Sequence, residues 1–303
     1  MMETPLPLIP PISRLSIFGV GLIGGSLSLA LKAQGMVGEV VGVGRSPSNM
    51  QWALEHGLID RICSDPAAAV NDAEIVVLAM PVGQMAAVMR DIAPYVRPGT
   101  LITDVGSTKQ DVAALMREYL APHLACCVPA HPVAGAELSG ARAARADLYQ
   151  ARNLVLTPLA ETQPAALARI SAMWKACGAQ VTQMSPMEHD AVFAAVSHLP
   201  HILAYALVDM LAARDNAEEL FGFAASGFRD FTRIAASSPE MWRDIALANR
   251  AALLHEMDAY LVTLSALREA LAQGEGATLL SAFERASAAR QNWQHAHVNP
   301  DFA

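Results

Sequence analysis

Near its start the chain reads Leu15-Ser-Ile-Phe-Gly19-Val-Gly21-Leu22-Ile23-Gly24 and then runs on in helix-forming residues to Ala33. An apolar strand, a GxGxxG turn and a helix in that order leave few folds open. The first glycine makes a tight turn, the second lets a pyrophosphate approach the backbone, and the third packs helix on strand. Amide groups of the turn and helix start, from Gly19 through Leu22 and Ile23 to Gly24, are then placed to hold phosphates.

The segments that follow fit such a site. Glu39–Val43, Glu74–Ala79, Thr100–Asp104, Asn153–Thr157 and Gln180–Gln183 read as further strands, separated by helical stretches. Continuous apolar strands alternating with helices predict a parallel sheet covered on both faces. After Pro186 only helical patterning remains. The fold class expected is therefore α/β: a Rossmann-type doubly wound parallel sheet over residues 1–186, followed by an all-α region over residues 187–303. Ser238-Pro239-Glu240 is a helix start, with Ser at the cap and Pro at the first helical position. The helix it opens is expected to reach Gly274, with Leu247, Leu254 and Leu261 recurring every seventh position and Met257, Leu264 and Leu271 beside them. That seam fits either an internal helix pair or a subunit interface.

Composition raises one rival class. Hydrophobic residues make up 53% of the 303 and charged residues 17%, and Ala191–Ala213 is nearly free of charge. Length and hydropathy alone allow that stretch to span a membrane. His198, Pro200, His201 and Asp209 within it, and the lack of a flanking basic cluster, favour a helix buried in protein. Much of the apolar excess is alanine, 57 residues, which packs helices without bulk. The N-terminal MMETPLPLIPPISRL has no basic start and is broken by prolines, unlike a signal peptide. Cys63, Cys126, Cys127 and Cys177 show no CxxC spacing and read as reduced thiols of a cytoplasmic protein. Net charge is −8, with no basic stripe, which argues against nucleic acid as a partner.

The end of the second strand bears on the cofactor. An acidic residue about 20 positions past the glycines would bond a ribose 2′-hydroxyl. Here the sequence is Gly44-Arg45-Ser46, which leaves room for a 2′-phosphate and offers Arg and Ser to hold it. NADP is expected over NAD. Met80-Pro81-Val82, after the third strand, is expected beside the cofactor.

Polar clusters stand where plain loops would suffice. They are Asp104-Val-Gly106-Ser107-Thr108-Lys109, His131-Pro-Val-Ala-Gly135, Ser197-His198-Leu-Pro-His201, Asp230-Phe-Thr-Arg233 and Met241-Trp242-Arg243-Asp244. Asp104 and Gly106 sit at the sheet edge where doubly wound folds bind ligands. The pair His198/His201 lacks a third ligand, so no metal is expected.

The motifs GVGLIGGS, DVGSTK, HPVAGAE, SHLPH and DFTRIAASSPEMWRDI, in this order, resemble the prephenate dehydrogenase family, which includes arogenate and cyclohexadienyl dehydrogenases. The resemblance runs from about Leu15 to Arg250. It implies a nucleotide-binding domain and a helical dimerisation domain; the shortness of the segment before the first strand leads to the expectation of no attached mutase domain. The resemblance also implies NAD(P)-dependent oxidative decarboxylation of prephenate to 4-hydroxyphenylpyruvate, or of arogenate to tyrosine. On this reading His131 accepts the proton of the substrate hydroxyl, and Ser107 bonds that hydroxyl or His131. Arg233 clamps a substrate carboxylate through its planar fork, unless it is taken up by Asp230 or Asp244. His201 lines the pocket, His198 lines it or sits in the core, and Trp242 reaches this pocket or its partner's, or packs in the core. Lys109 meets a carboxylate or a cofactor phosphate, or is solvated.

Two other readings share features with this one. A β-hydroxyacid dehydrogenase or imine reductase has a similar plan, but the lysine-based versions need a lysine that this chain, with none after Lys175, does not have. A non-catalytic dinucleotide-sensing module would be expected to have lost His131, Ser107 or Arg233. The apolar helices, taken with the dimerisation domain, predict an obligate homodimer, with a small-molecule substrate and no membrane.

Overall fold

The computed structural model describes residues 10–135, 138 and 140–297, without the side chains of 295–297. The segment read against a signal peptide lies mostly outside the described residues, as does Glu137 of the HPVAGAE motif.

Six strands form one parallel sheet: β1 (Ile12–Phe18), β2 (Val37–Val43), β3 (Arg61–Ile62), β4 (Ile75–Leu78), β5 (Leu101–Asp104) and β6 (Cys127–Val128). Their order is β3-β2-β1-β4-β5-β6, so the direction of winding reverses between β1 and β4. The pleat divides the core. Ile75 and Val77 of β4 pack on one face with Leu27, Leu31 and Trp174. Val76 and Leu78 pack on the other with Met85, Met89 and Val112. Both faces are buried, which is why β4 carries no polar alternation.

The helices of this half are α1 (Leu22–Ala33), α2 (Pro47–Glu55), α3 (Pro66–Val70), α4 (Met85–Ile92), α5 (Gln110–Tyr119) and α6 (Pro164–Ala176). Starts of α2 and α3 follow from local chemistry: Ser46 and Asp65 cap them, each before a proline at the first helical position.

The last strands depart from expectation. Asn153–Leu156 (β8) and Gln180–Gln183 (β9) do not extend the parallel sheet; with Ala130–Pro132 (β7) they form a separate three-stranded sheet, β7-β8-β9. β7 pairs antiparallel with β8, setting His131 opposite Val155. Only Pro129 separates β6 from β7, and proline offers no amide to continue a ladder. His131 thus lies on a strand rather than in a loop.

Among the described residues after β9 there are only helices: α7 (Pro186–Phe193), α8 (Leu199–Ala212), α9 (Ala217–Gly222), α10 (Ser226–Thr232), α11 (Pro239–Ala248), α12 (Arg250–Ala272) and α13 (Gly276–His297). α7 opens with a capping box in which Ser185 accepts from the Glu188 amide and Glu188 accepts from the Ser185 amide. A π-helical turn, Ala194–His198, joins α7 to α8. Pro200 accounts for it: proline lacks the N–H of the regular ladder and crowds the carbonyl four residues back, and the wider turn relieves both.

The long apolar helix Pro186–Ala212 has a mean hydropathy of 1.7 over its most apolar 18-residue window, of which only 22% is buried within this chain. The helix expected over 239–274 is also corrected. It breaks at Asn249, whose backbone (φ −101°, ψ 31°) closes α11 and whose side chain turns inward. The heptad seam therefore does not run through Leu247 on one continuous helix.

Contacts group the chain into two units, Met1–Leu253 and Leu254–Ala303. In the second, Leu254, Leu261, Leu264, Leu271, Leu280 and Phe283 are exposed.

Candidate active site

The glycine turn is built as its chemistry requires. Gly19 has φ +99°, and a Cβ there would run into the Ala79 carbonyl. A Cβ on Gly24 would meet the Gly19 carbonyl and, at 2.8 Å, Ile17 Cγ2. Gly21 differs: beyond its chain neighbours a Cβ there meets nothing among the described residues within 4 Å, and as the N-cap of α1 it makes no side-chain bond to the helix. First-turn amides of α1 are therefore open toward an anion, and the turn fits a dinucleotide pyrophosphate. Asn49 holds this region together, donating to the Val20 carbonyl (2.8 Å) and accepting from the Ala141 amide (2.9 Å).

At the end of β2, Gly44, Arg45 and Ser46 are exposed, and the Ser46 hydroxyl accepts from the Asn49 amide as the cap of α2. After β4, Met80 and Pro81 lead into a short turn, Val82–Gln84. A Cβ on Gly83 would collide with the Asp244 carboxylate, so α11 packs directly over this turn. Asp244 itself pairs with Arg243 at 2.8 Å.

Asp104 and Lys109, expected to meet cofactor or substrate, are turned inward. Both side chains are fully buried and ion-paired with each other. The Asp104 carboxylate also accepts from the Gly106 amide (2.7 Å) and the Ala130 amide (3.0 Å), tying the loop after β5 to the start of β7. The lysine is committed because this buried carboxylate needs a counter-charge.

His131 sits beside that anchor. Its ring partner is His189 of α7 rather than Ser107: His131 Nδ1 and His189 Nε2 are 2.8 Å apart. His189 Nδ1 is in turn 2.8 Å from Asp190 Oδ1. Asp190 accepts from the backbone amides of Lys109 (2.8 Å) and Gln110 (2.9 Å), capping α5 from another helix. Phe193, one turn along α7, stacks on His189 (4.4 Å between centroids) and tilts against His131 (4.6 Å). Burial, reinforced by the charges of His189, Lys109 and His198, holds His131 well below the usual histidine range, so its ring is neutral near pH 7.

The π turn and α8 supply two more rings. His201 stacks on Trp242 at 3.5 Å between centroids and 19°, and its Nδ1 donates to the Ser197 carbonyl (2.9 Å). Burial lowers His201, and the nearby Arg233 guanidinium lowers it further. His198 is buried, and burial pushes it down to about 4. Asn249, which the sequence reading passed over, donates to His198 Nδ1 (3.1 Å) and to the Asp190 carbonyl (2.7 Å). Among the described residues no partner meets hydrogen-bond geometry at the buried His198 Nε2 or Trp242 Nε1, although the Ser107 backbone lies close enough to His198 to raise it against burial. Arg233 is exposed, at the junction of α10 with a short 3₁₀ turn.

The structure thus gathers His131, His189, Asp190, His198 and Asn249 into one bonded cluster beside the loop carrying Ser107. His201, Trp242 and Arg233 form a second group next to His198. His189 and Asp190 were missed in the sequence; the capping box at Ser185–Glu188 is the signal that would have placed them on a first helical turn.

A glycine turn open to phosphates, at the reversal point of a parallel sheet and with a buried neutral histidine nearby, defines a dinucleotide-dependent oxidoreductase. Comparison with known proteins makes this specific. Residues 27–183 match the prephenate dehydrogenase nucleotide-binding domain, and residues 185–285 match the prephenate dehydrogenase dimerization domain. The cyclohexadienyl dehydrogenase of Zymomonas mobilis is 37% identical over 279 residues, 91% of this chain and 94% of that protein. The prephenate dehydrogenase of Bacillus subtilis is 37% identical over 270 residues, 88% of this chain and 72% of that protein. The structure of A. aeolicus prephenate dehydrogenase in complex with hydroxyphenyl propionate and NAD+ superposes with a TM-score of 0.87 at 32% identity, covering 93% of this chain and 98% of that one. The chain belongs to the prephenate dehydrogenase family.

Proposed function

We propose that this enzyme oxidatively decarboxylates prephenate to 4-hydroxyphenylpyruvate, a step toward tyrosine, and that His131 accepts the proton of the substrate hydroxyl. The observation carrying the role of His131 is its state: a buried imidazole, neutral at pH 7, on a strand anchored to the dinucleotide edge through Asp104. The bound nicotinamide supplies a hydride acceptor. A neutral imidazole can take the hydroxyl proton as the carbonyl forms. Loss of the ring carboxylate as CO2 then makes the ring aromatic, which drives the step. Ser107 lies on the loop that Asp104 fixes and is read as orienting the hydroxyl. The buried donors His198 Nε2 and Trp242 Nε1 are read as meeting substrate oxygens, and Arg233 as forking onto a carboxylate.

The division at residue 186, with cofactor held by 1–186 and substrate and dimer contacts by 187–303, remains part of this reading, as do a homodimer and a cytoplasmic location. NADP is favoured over NAD because no acidic residue ends β2 and Arg45 stands exposed there. Arogenate is the alternative substrate.

Absorbance at 340 nm with prephenate or arogenate, each with NADP or NAD, tests the activity. No reduced cofactor in any of the four mixtures would overturn it. His131→Asn is expected to lower kcat by at least about 100-fold with little change in cofactor affinity. Arg233→Ala is expected to act mainly on substrate KM.

A further inference from the structure

We infer that Asp190 and His189 are positioning residues that fix the tautomer of His131 and hold the charge it acquires during the reaction. This rests on the reading of His131 as proton acceptor, and it assigns work to two residues that reading does not use.

The direction of every bond follows from its far end. Both Asp190 oxygens accept backbone N–H groups, from Lys109 and Gln110, so the carboxylate is locked in place as an acceptor. Burial alone would raise Asp190, but the His189 ring and these two amides together hold it below its ordinary value. An ionised carboxylate has no proton to offer, so His189 Nδ1 donates to it across 2.8 Å. A neutral imidazole with hydrogen on Nδ1 has a lone pair on Nε2. That Nε2 lies 2.8 Å from His131 Nδ1, which therefore carries the hydrogen and donates. One nitrogen of His131 remains, Nε2, with its lone pair available to the substrate. The reverse tautomer would set two lone pairs against each other.

The reaction then balances without moving a proton along the chain. The hydroxyl proton passes to His131 Nε2 as the carbonyl forms, and a bound oxidised dinucleotide would take the C–H electron pair as hydride. Loss of CO2 then returns an electron pair to the ring oxygen, which takes the proton back from His131 Nε2 to leave the phenol and a neutral imidazole. Between the two transfers His131 is a cation whose Nδ1–H bond to His189 strengthens, with the Asp190 charge one ring away. The other ionisable groups facing this chain are Asp104 and Lys109, paired with each other, Asp111 of α5, and His198 of the π turn.

The test compares His189→Leu, which removes the acceptor, with His189→Gln, whose carbonyl oxygen can still accept from His131 Nδ1. It adds side-chain 15N NMR of the unmodified enzyme, with His131 assigned among the nine histidines by its loss in His131→Asn. We expect His131 to be protonated at Nδ1. We expect His189→Leu to lose at least about tenfold in kcat, part of what a positioned acid–base group supplies. KM and dinucleotide affinity should hold, and His189→Gln should recover most of the loss. If His131 is protonated at Nε2 in the resting enzyme, the inference falls, whether or not the variants fold. Full activity in His189→Leu alongside loss in His131→Asn also overturns it alone. Full activity in His131→Asn instead overturns the acceptor reading on which it rests.

Discussion

Lys109 reaches back across the start of its own helix to ion-pair with Asp104, and neither side chain touches solvent. Removing one partner of such a pair leaves a buried charge uncompensated. Lys109→Met is expected to cost about 3–5 kcal/mol of stability. Adding Asp104→Asn should return part of it, since the amide oxygen can still accept from a backbone N–H. Urea denaturation of the three proteins checks this; a single variant as stable as the parent would show that the pair is not what holds the loop.

Two glycines of one turn should fail differently. Gly21→Ala adds a methyl that, beyond its own chain neighbours, meets no heavy atom of the described residues within 4 Å, so its stability should stay within about 0.5 kcal/mol while dinucleotide Kd rises. Gly24→Ala drives the methyl into the Gly19 carbonyl and Ile17, and should cost about 1–3 kcal/mol. Calorimetric binding and thermal melts separate the two. Unchanged cofactor affinity in Gly21→Ala would remove the pyrophosphate from that space.

His198 sets a pH window. Its value is 6.5 in an unfolded chain and about 4 when folded, because burial disfavours the cation. Between these values the unfolded chain binds the proton and the folded one does not. Its contribution is fully present above pH 6.5 and is lost as pH falls toward about 4, at up to about 1.4 kcal/mol per unit. His131, His189 and His201 are lowered too and act with the same sign. Denaturant midpoints across the window should fall more steeply in the parent than in His198→Gln; parallel slopes would contradict the assignment.

Arg45 is the test of cofactor choice. A charged hydrogen bond to a 2′-phosphate contributes about 1.5–3 kcal/mol, so Arg45→Ala should lower kcat/KM for NADP by about tenfold or more and leave NAD almost untouched. Equal losses with both nucleotides would place the arginine over the adenine instead.

The exposed leucines of the C-terminal unit bear on assembly. Leu261 and Leu264 are 54% and 48% exposed on a helix that falls within the matched dimerization domain. A double change to Glu is expected to shift the dimer to monomer in light scattering at micromolar concentration. A variant that stays dimeric would put the interface elsewhere.

Much of the fold can be read from local pattern. Gly19, Gly21 and Gly24 after an apolar strand announce the turn, and the runs at Val40–Val43 and Ile75–Leu78 announce strands buried on both faces. Ser238 before Pro239 announces a helix start. In each, the deciding interaction lies within a few residues, or is burial itself, which composition records. The second sheet escaped because β8 and β9 look like any parallel strand, and register belongs to partners far along the chain. The break at Asn249 escaped because a heptad pattern continues through it; what stops the helix is an amide bonded to Asp190 and His198, 59 and 51 residues away.

The site divides along the same line. Sequence alone determined which kinds of group are present, a phosphate-holding turn, a histidine and an arginine, because motif order carries that information. Tertiary structure decided their states. It turned Lys109 from a candidate ligand contact into a buried counter-ion, and it gave His131 a histidine rather than a serine as partner. The reason is physical: charge and tautomer depend on burial and on hydrogen bonds closing between distant segments, and the spacing of residues along the chain holds neither.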